Sequence, residues 1–499
     1  MSYKLVVKDA FWQILGRILS AIAWLLVIKM ITPYLWPERF GDYQTILKYF
    51  AIWAALADFG LYVVALQKLG ELKQQSYQKL QEYYAKFVGT RFLMIFVVYT
   101  LAIVVAYLIP AYSSNPYLVW WLPLWMLFSA SFMVSGILQA PLQLFWQMKH
   151  LSIALILWRI SQLILLAVLL YYIYPDISFD DYSWLSVFVF SLIIFSVLLS
   201  GIVQTSYVFW YWRKYLPLKW NFDFEFTKDI LYKNRKYWFA YYLSSFHTLV
   251  VLILLSVLYP TTQNFDYVGI RALALALLEI LLVIPQSLGN ALIHKVSVKE
   301  KQEKLKSYGY MIIFTIWIWL VFMINFMVFN SQIIYFVGGE EYVGNQNIWS
   351  DHVLYFLWIV VVLSFIKQMF NYIFVSNQLQ NKLLAINLSW VVIGLSIGIP
   401  LILYYDLIGW IITQVLLEVL FVLWALIVAY KNSSLPSVDW KRFFEVVGIM
   451  FFVLIVAKYL LMGVDYTSFW YFVFYVLVVN IFILIMSYFP VKKVMKNIE

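Results

Sequence analysis

Apolar residues fill this chain in long unbroken blocks, not in the one-sided stripes or short alternations of a water-soluble fold. Fourteen such stretches follow one another, at about 11–31, 42–66, 87–109, 118–139, 150–174, 183–212, 237–259, 269–294, 309–332, 351–375, 383–404, 407–429, 444–462 and 468–489. Crossing the hydrocarbon core takes about 20 apolar residues in a helix, so each stretch predicts one transmembrane helix. The eleventh and twelfth are parted only by Tyr404-Tyr405-Asp406. The reading is an all-α polytopic membrane protein of about 14 transmembrane helices. An even number of crossings puts both termini on one side.

Composition agrees and closes off alternatives. Of 499 residues, 64% are apolar and only 12% charged, against roughly half and a quarter in soluble domains. A soluble domain carried on one or two anchors is excluded, because the apolar blocks run from end to end. With no cysteine, disulfides and thiolate metal sites are impossible, and no metal site is expected.

Charge then fixes the orientation. The formal net charge is +10. Basic residues crowd the connections on the side of the termini, among them Lys4, Lys8, Lys68, Lys73, Lys79, Lys86, Lys149, Arg213, Lys219, Lys299, Lys306, Lys382, Arg442, Lys492 and Lys496. The opposite connections hold only Arg39, with acids such as Asp176, Asp181, Asp266, Glu340, Asp406 and Asp465. Basic loops stay in the cytoplasm during insertion. The sequence therefore predicts a multi-pass protein of the cytoplasmic membrane with both termini inside, and the positive balance calls for no nucleic acid. Gln13 and Arg17 interrupt the first stretch, and Trp24 to Ile31 continues it, so it reads as a retained helix and not a signal peptide.

The longest polar connection separates six stretches from eight. It divides the chain into an N-terminal lobe (1–212), a basic cytoplasmic linker (213–236), a second six-helix lobe (237–430) and two further helices with a tail (431–499). Residues 67–86 space Leu69, Leu72, Tyr77, Leu80 and Tyr84 along one helical face, predicting a short helix on the inner surface. Two paired motifs in the same order hint at duplicated lobes: Arg39-Phe40-Gly41-Asp42-Tyr43 with Asn264-Phe265-Asp266-Tyr267, and Lys149-His150-Leu151-Ser152 with Lys382-Leu383-Leu384-Ala385.

Ionisable residues inside the stretches are the chemically informative ones, since each is costly at mid-bilayer unless it faces protein or water. Four cations, Arg17, Lys48, Arg91 and Arg159, lie in the first lobe against one acid, Asp58; Arg271 opens the eighth stretch. A cavity lined by such cations suits an anionic head group such as a phosphate or diphosphate. Each has a plainer reading beside it. Arg91 and Lys458 can snorkel to the head groups, as can Lys367. Arg271 can pair with Asp266, and Arg17 and Arg159 can make interhelical pairs. Asp58, Glu279 and Glu418 are candidates for ion coupling, by H⁺ or Na⁺, or for simple counter-ions. His247 lies on a polar stripe with Tyr241, Ser244 and Thr248. No phosphate loop, zinc-binding histidine pair or nucleophile elbow is present, and Asp223-Phe224-Glu225 reads as solvated charge in the linker. The chain is not expected to be an enzyme or to carry a cofactor. A drug or small-cation exporter and a membrane glycan polymerase or glycosyltransferase remain the alternatives.

Several motifs together resemble the polysaccharide-transporter branch of the multidrug/oligosaccharidyl-lipid/polysaccharide exporter superfamily, which includes flippases of lipid-linked oligosaccharides. They are Phe40-Gly41-Asp42-Tyr43, Ala57-Asp58-Phe59-Gly60-Leu61, Phe265-Asp266-Tyr267-Val268-Gly269, Ile284-Pro285, Phe336-Val337-Gly338-Gly339-Glu340-Glu341-Tyr342 and Leu407-Ile408-Gly409. The resemblance implies two six-helix lobes around a central cavity that opens alternately to each face, plus two C-terminal helices forming a groove for a lipid tail. It implies a polyprenyl-diphosphate-linked glycan as substrate, first-lobe cations as diphosphate ligands, and glycan polymerase or glycosyltransferases as partners beside membrane lipids. Arg271 and Glu279 stand where members vary, so it transfers no coupling residue.

Overall fold

The computed structural model describes residues 3–58, 61–119, 122–145, 147–179, 183–216, 219–233, 235, 239, 242–243, 268–278, 301–343, 350–377, 379–461 and 469–498. Helices account for nearly all of them, and no strand occurs among the described residues. The main elements are α1 (Tyr3–Asp58), α2 (Leu61–Gln75), α3 (Tyr77–Leu108), α4 (Leu122–Leu144), α5 (Met148–Ala167), α6 (Trp184–Trp212), α7 (Val268–Leu278), α8 (Lys301–Gly338), α9 (Ser350–Ser376), α10 (Gln380–Lys431), α11 (Trp440–Leu460) and α12 (Phe469–Ile498). Among the described residues nine helices are long and apolar enough to cross a membrane. The chain divides into two compact units, Met1–Ala272 and Leu273–Glu499.

Two of the helices are too long for one crossing. At about 1.5 Å per residue, the 56 residues of α1 and the 52 of α10 would each span more than twice the hydrocarbon thickness. Each breaks at a non-glycine residue with positive φ: Trp36 (φ 51) in α1 and Asp406 (φ 48) in α10. At Asp406 the chain reverses. Trp390 Nε1 donates to the Leu417 carbonyl at 2.7 Å and the Trp390 ring meets Phe421. Gly394 faces Leu417, Gly398 faces Thr413, and Gly409 lies against the Leu401 carbonyl. Each partner recedes from the break as the other does, which only a helical hairpin allows. The two stretches that meet at Tyr404-Tyr405-Asp406 are therefore separate crossings.

Helix directions can be read from contacting residue numbers. In the first unit, α1 touches α5 at Trp12 with Lys149, Gly16 with Ser152 and Trp24 with Arg159, and meets the turn that continues α5 (Val168–Ile173) at Tyr34 with Leu170. The numbers rise together, so the helices run parallel. The second limb of α1 meets α3 at Tyr49 with Ala102 and at Asp58 with Arg91, running antiparallel. In the second unit α8 is antiparallel to α9, through Trp319 with Trp358 and Ser331 with Asp351. It is also antiparallel to α12, through Phe336 with Phe472 and Asn325 with Asn480. Alternating crossings require these directions.

Three connections differ from expectation. The second predicted stretch runs to 66, but α1 ends at Asp58 and α2 starts at Leu61. The single face foreseen over 67–86 is shared by two helices, because Ser76 is extended (φ −159, ψ 130). α2 buries Leu61, Ala65, Leu69 and Leu72, whereas Leu80 and Tyr84 belong to α3 and Tyr77 is exposed. The linker, third, is strapped to the start of α3. Asp223 pairs with Lys86 at 2.9 Å and accepts the Phe226 N–H, Thr90 shares a hydrogen bond with Thr227, Trp220 stacks on Phe92, and Gly89 leaves room for the Asn221 carbonyl. Asp223 thus starts a helical segment and is not the free solvated acid that its sequence context suggests. The Phe226 N–H, and then Lys86, hold its carboxyl below the ordinary range, so this contribution is present above the ordinary value and fades only as pH falls through the lowered one.

The α10 hairpin yields a prediction. A leucine at Gly394 would intrude on Leu417. Overpacking of this kind costs about 1–3 kcal/mol, so Gly394→Leu should lower the thermal unfolding midpoint of the detergent-solubilised protein, and Gly448→Leu, with open space around it, should not.

Candidate anion site in the N-terminal unit

Arg159 is the centre of the arrangement. It sits mid-way along α5, where its guanidinium lies 4.2 Å from the Trp24 ring centroid of α1 and 3.9 Å from that of Trp158. Nη1 donates to Gln162 Oε1 at 2.9 Å, one turn along α5. The Tyr43 hydroxyl of α1's second limb lies beside Gln162 and Arg159. Nε is buried with no hydrogen-bond acceptor among the described residues, and no carboxylate there pairs with Arg159. Indole faces attract a guanidinium by about 0.5–2 kcal/mol, yet they leave its charge and its unused N–H in place. A buried donor without an acceptor costs about 1–3 kcal/mol, which an incoming oxyanion would relieve.

Register places the other cations around this point. The parallel α1/α5 contact sets Trp24 level with Arg159, so Arg17, seven residues earlier, lies about 10 Å nearer the start of both helices. Lys48 is five residues past Tyr43 and is displaced toward the same side by about 7–8 Å. Both are half-buried. Arg271 of α7 lies at the opposite level, two residues beyond Gly269, whose backbone packs against Pro37 just after the α1 break. Arg271 is fully buried. Arg17, Lys48, Arg159 and Arg271 thus occupy successive levels of one unit.

Arg91 differs. Its Nη1 donates to both the carbonyl and the carboxylate of Asp58, and the side chain is 2% exposed. It neither snorkels nor offers a free charge, and Asp58 is its counter-ion. In the second unit Glu418 is likewise a counter-ion, to Lys367 at 3.0 Å. Lys367 lies under the Trp390 ring and does not reach for the head groups. Lys458, exposed in the last turn of α11, is placed as a snorkelling residue would be. Glu279, His247 and Asp266 lie outside the described residues.

Sequence reasoning passed over two features. Arg39, the odd basic residue of the outer connections, is a buried clamp: it pairs with Glu38 and Asp42, donates to the Phe179 carbonyl and lies over Tyr117, while Asn115 donates to Asp42. The adjacency of Trp158 to Arg159 was visible; that Trp24 supplies the second indole required the α1/α5 register.

This fold is shared with solved membrane transporters. It matches a lipid II flippase MurJ in an inward closed conformation with a TM-score of 0.69 and 14% identity, covering 96% of this chain and 98% of that one. It matches an inward-facing multidrug-resistance MATE transporter of the MOP superfamily at 0.63 and 15%, over 84% and 96%. A MOP superfamily transporter from Pyrococcus furiosus, described as having a binding pocket of reversed polarity, matches at 0.57 and 14%, over 87% and 96%. None of these is an enzyme. Residues 6–293, more than half of the chain, match the family described as polysaccharide biosynthesis protein, and the chain belongs to that family. No curated protein matches it.

The ion pair gives the prediction here. Removing one partner of a buried pair costs about 3–5 kcal/mol, so Arg91→Ala should sharply lower the unfolding midpoint. Arg91→Met/Asp58→Asn, which leaves no lone charge, should recover most of it.

Proposed function

We propose that the protein is a flippase that carries a polyprenyl-diphosphate-linked oligosaccharide from the inner to the outer leaflet by alternating access. The observation that carries this reading is Arg159: a guanidinium held between two indoles, with a buried N–H unanswered and no carboxylate against it among the described residues. A diphosphate supplies both the acceptor and the missing negative charge. Membership of the polysaccharide biosynthesis family and the likeness in fold to a lipid II flippase support a lipid-linked glycan as the cargo. Arg17, Lys48 and Arg271 would follow the head group at levels on either side of Arg159. No covalent chemistry is needed, because the cargo changes only its side of the membrane.

Coupling to H⁺ or Na⁺ belongs to the proposal. Of the three candidate acids, Asp58 and Glu418 already face cations, which leaves Glu279 among them for the ion. The protein would sit in the cytoplasmic membrane with both termini inside, beside the glycan polymerase or glycosyltransferases that handle the same lipid-linked chain.

Arg159→Ala is expected to reduce transfer of a lipid-linked oligosaccharide in reconstituted vesicles by more than about tenfold, the order of one charged hydrogen bond, with folding intact. Arg159→Lys, which keeps charge but loses the planar stack, should fall between. Unchanged transfer by Arg159→Ala rejects the assignment. Because the chain has no cysteine, single cysteines report topology cleanly. A cysteine at Asp176 should react with an impermeant maleimide from outside, and one at Lys382 only after permeabilisation.

A further inference from the structure

The second unit holds a cation site of a different kind. Lys367 of α9 points its ammonium at Glu418 Oε1, 3.0 Å away, with the Trp390 ring centroid at 3.9 Å and that of Phe421 at 5.3 Å. Both charged side chains are almost wholly enclosed, 11% and 4% exposed. Lys367 lies nine residues from the end of α9 at Ser376, about 13 Å along the axis, beyond the reach of a lysine stem. Two acceptors go unused: among the described residues Glu418 Oε2 is buried without a hydrogen-bond partner, and so is Asn371 Oδ1, one turn beyond Lys367. Gln414, one turn before Glu418, is buried as well.

A carboxylate enclosed by helices needs a positive neighbour: a bound proton, a dissolved cation or a tethered one. Carboxylate and amide oxygens with two aromatic faces suit a small monovalent cation. We propose that this is a monovalent-cation site whose occupant is built into the chain. The Lys367 ammonium takes the place that Na⁺ would fill, so this site is indifferent to dissolved Na⁺, and removing the ammonium opens it. Glu418 is then barred from carrying a coupling ion. This inference stands apart from the flippase reading, because its test measures stability and not transport.

The test compares thermal unfolding of the full-length purified protein in NaCl and in choline chloride at equal ionic strength, choline being too bulky for the enclosure. The wild type should show no stabilisation by NaCl that Glu418→Gln removes. Lys367→Gln should gain several degrees in NaCl over choline chloride beyond any difference the wild type shows. Lys367→Met/Glu418→Gln, lacking both charges, should fold and lose that gain. Three results overturn the proposal: a wild type stabilised by Na⁺ in a manner lost in Glu418→Gln, a folded Lys367→Gln blind to Na⁺, or a Lys367→Gln that fails to fold in either salt while the double variant folds. Folding of Lys367→Gln in NaCl alone supports it.

Discussion

A charged side chain within the hydrocarbon of a membrane must meet its opposite inside the protein or face a water-filled space. This constraint organises both units. Asp58 with Arg91 ties the end of α1 to the middle of α3. Glu38, Arg39, Asp42 and Asn115 knit the break in α1 to the loops beside it. Lys367 with Glu418 joins α9 to the hairpin of α10. In each place a charge is cancelled at close range and the result is rigidity. Arg159 is handled otherwise: aromatic faces cradle it, and among the described residues no acid neutralises it. That difference in treatment, rather than the number of cations, is what singles out Arg159 for the proposed anion site.

The same constraint explains where the helices bend. Backbone groups in hydrocarbon must be satisfied internally, so turns are short and sit at the ends of crossings. Positive φ at Trp36 and Asp406 reverses or redirects the chain within one or two residues. Small residues then let the helices close: Gly394 and Gly398 accept Leu417 and Thr413, and Gly16 accepts Ser152. Without a strong hydrophobic force between helices in lipid, such close approach is a main source of association.

Much of this was legible in the sequence because hydrophobic length is a strong signal and basic asymmetry an independent one. Even the one-residue break at Asp406 was marked by Tyr404-Tyr405-Asp406. What failed was local. Periodicity ran straight through Ser76, since an apolar face continues in phase on either side of a break. The linker's Asp223 looked solvated because nothing in its own segment shows that Lys86 and Gly89 wait on α3. Pairing of the intramembrane charges was undecidable for the same reason: Asp58 could answer any of four cations until register placed it against Arg91. Arg159 stood out in the sequence as a deep cation, but its aromatic cradle depends on which residue of α1 lies level with it.

The central claim is that Arg159 is reserved for an anionic head group. Equilibrium binding of a short polyprenyl diphosphate to the purified protein tests it most directly, with the matching neutral polyprenol as control. The account predicts saturable binding of the diphosphate that weakens with salt, fails for the polyprenol, and drops at least about tenfold in Arg159→Gln, the order of one charged hydrogen bond. Equal affinity for diphosphate and alcohol, or undiminished binding by a folded Arg159→Gln, would contradict it.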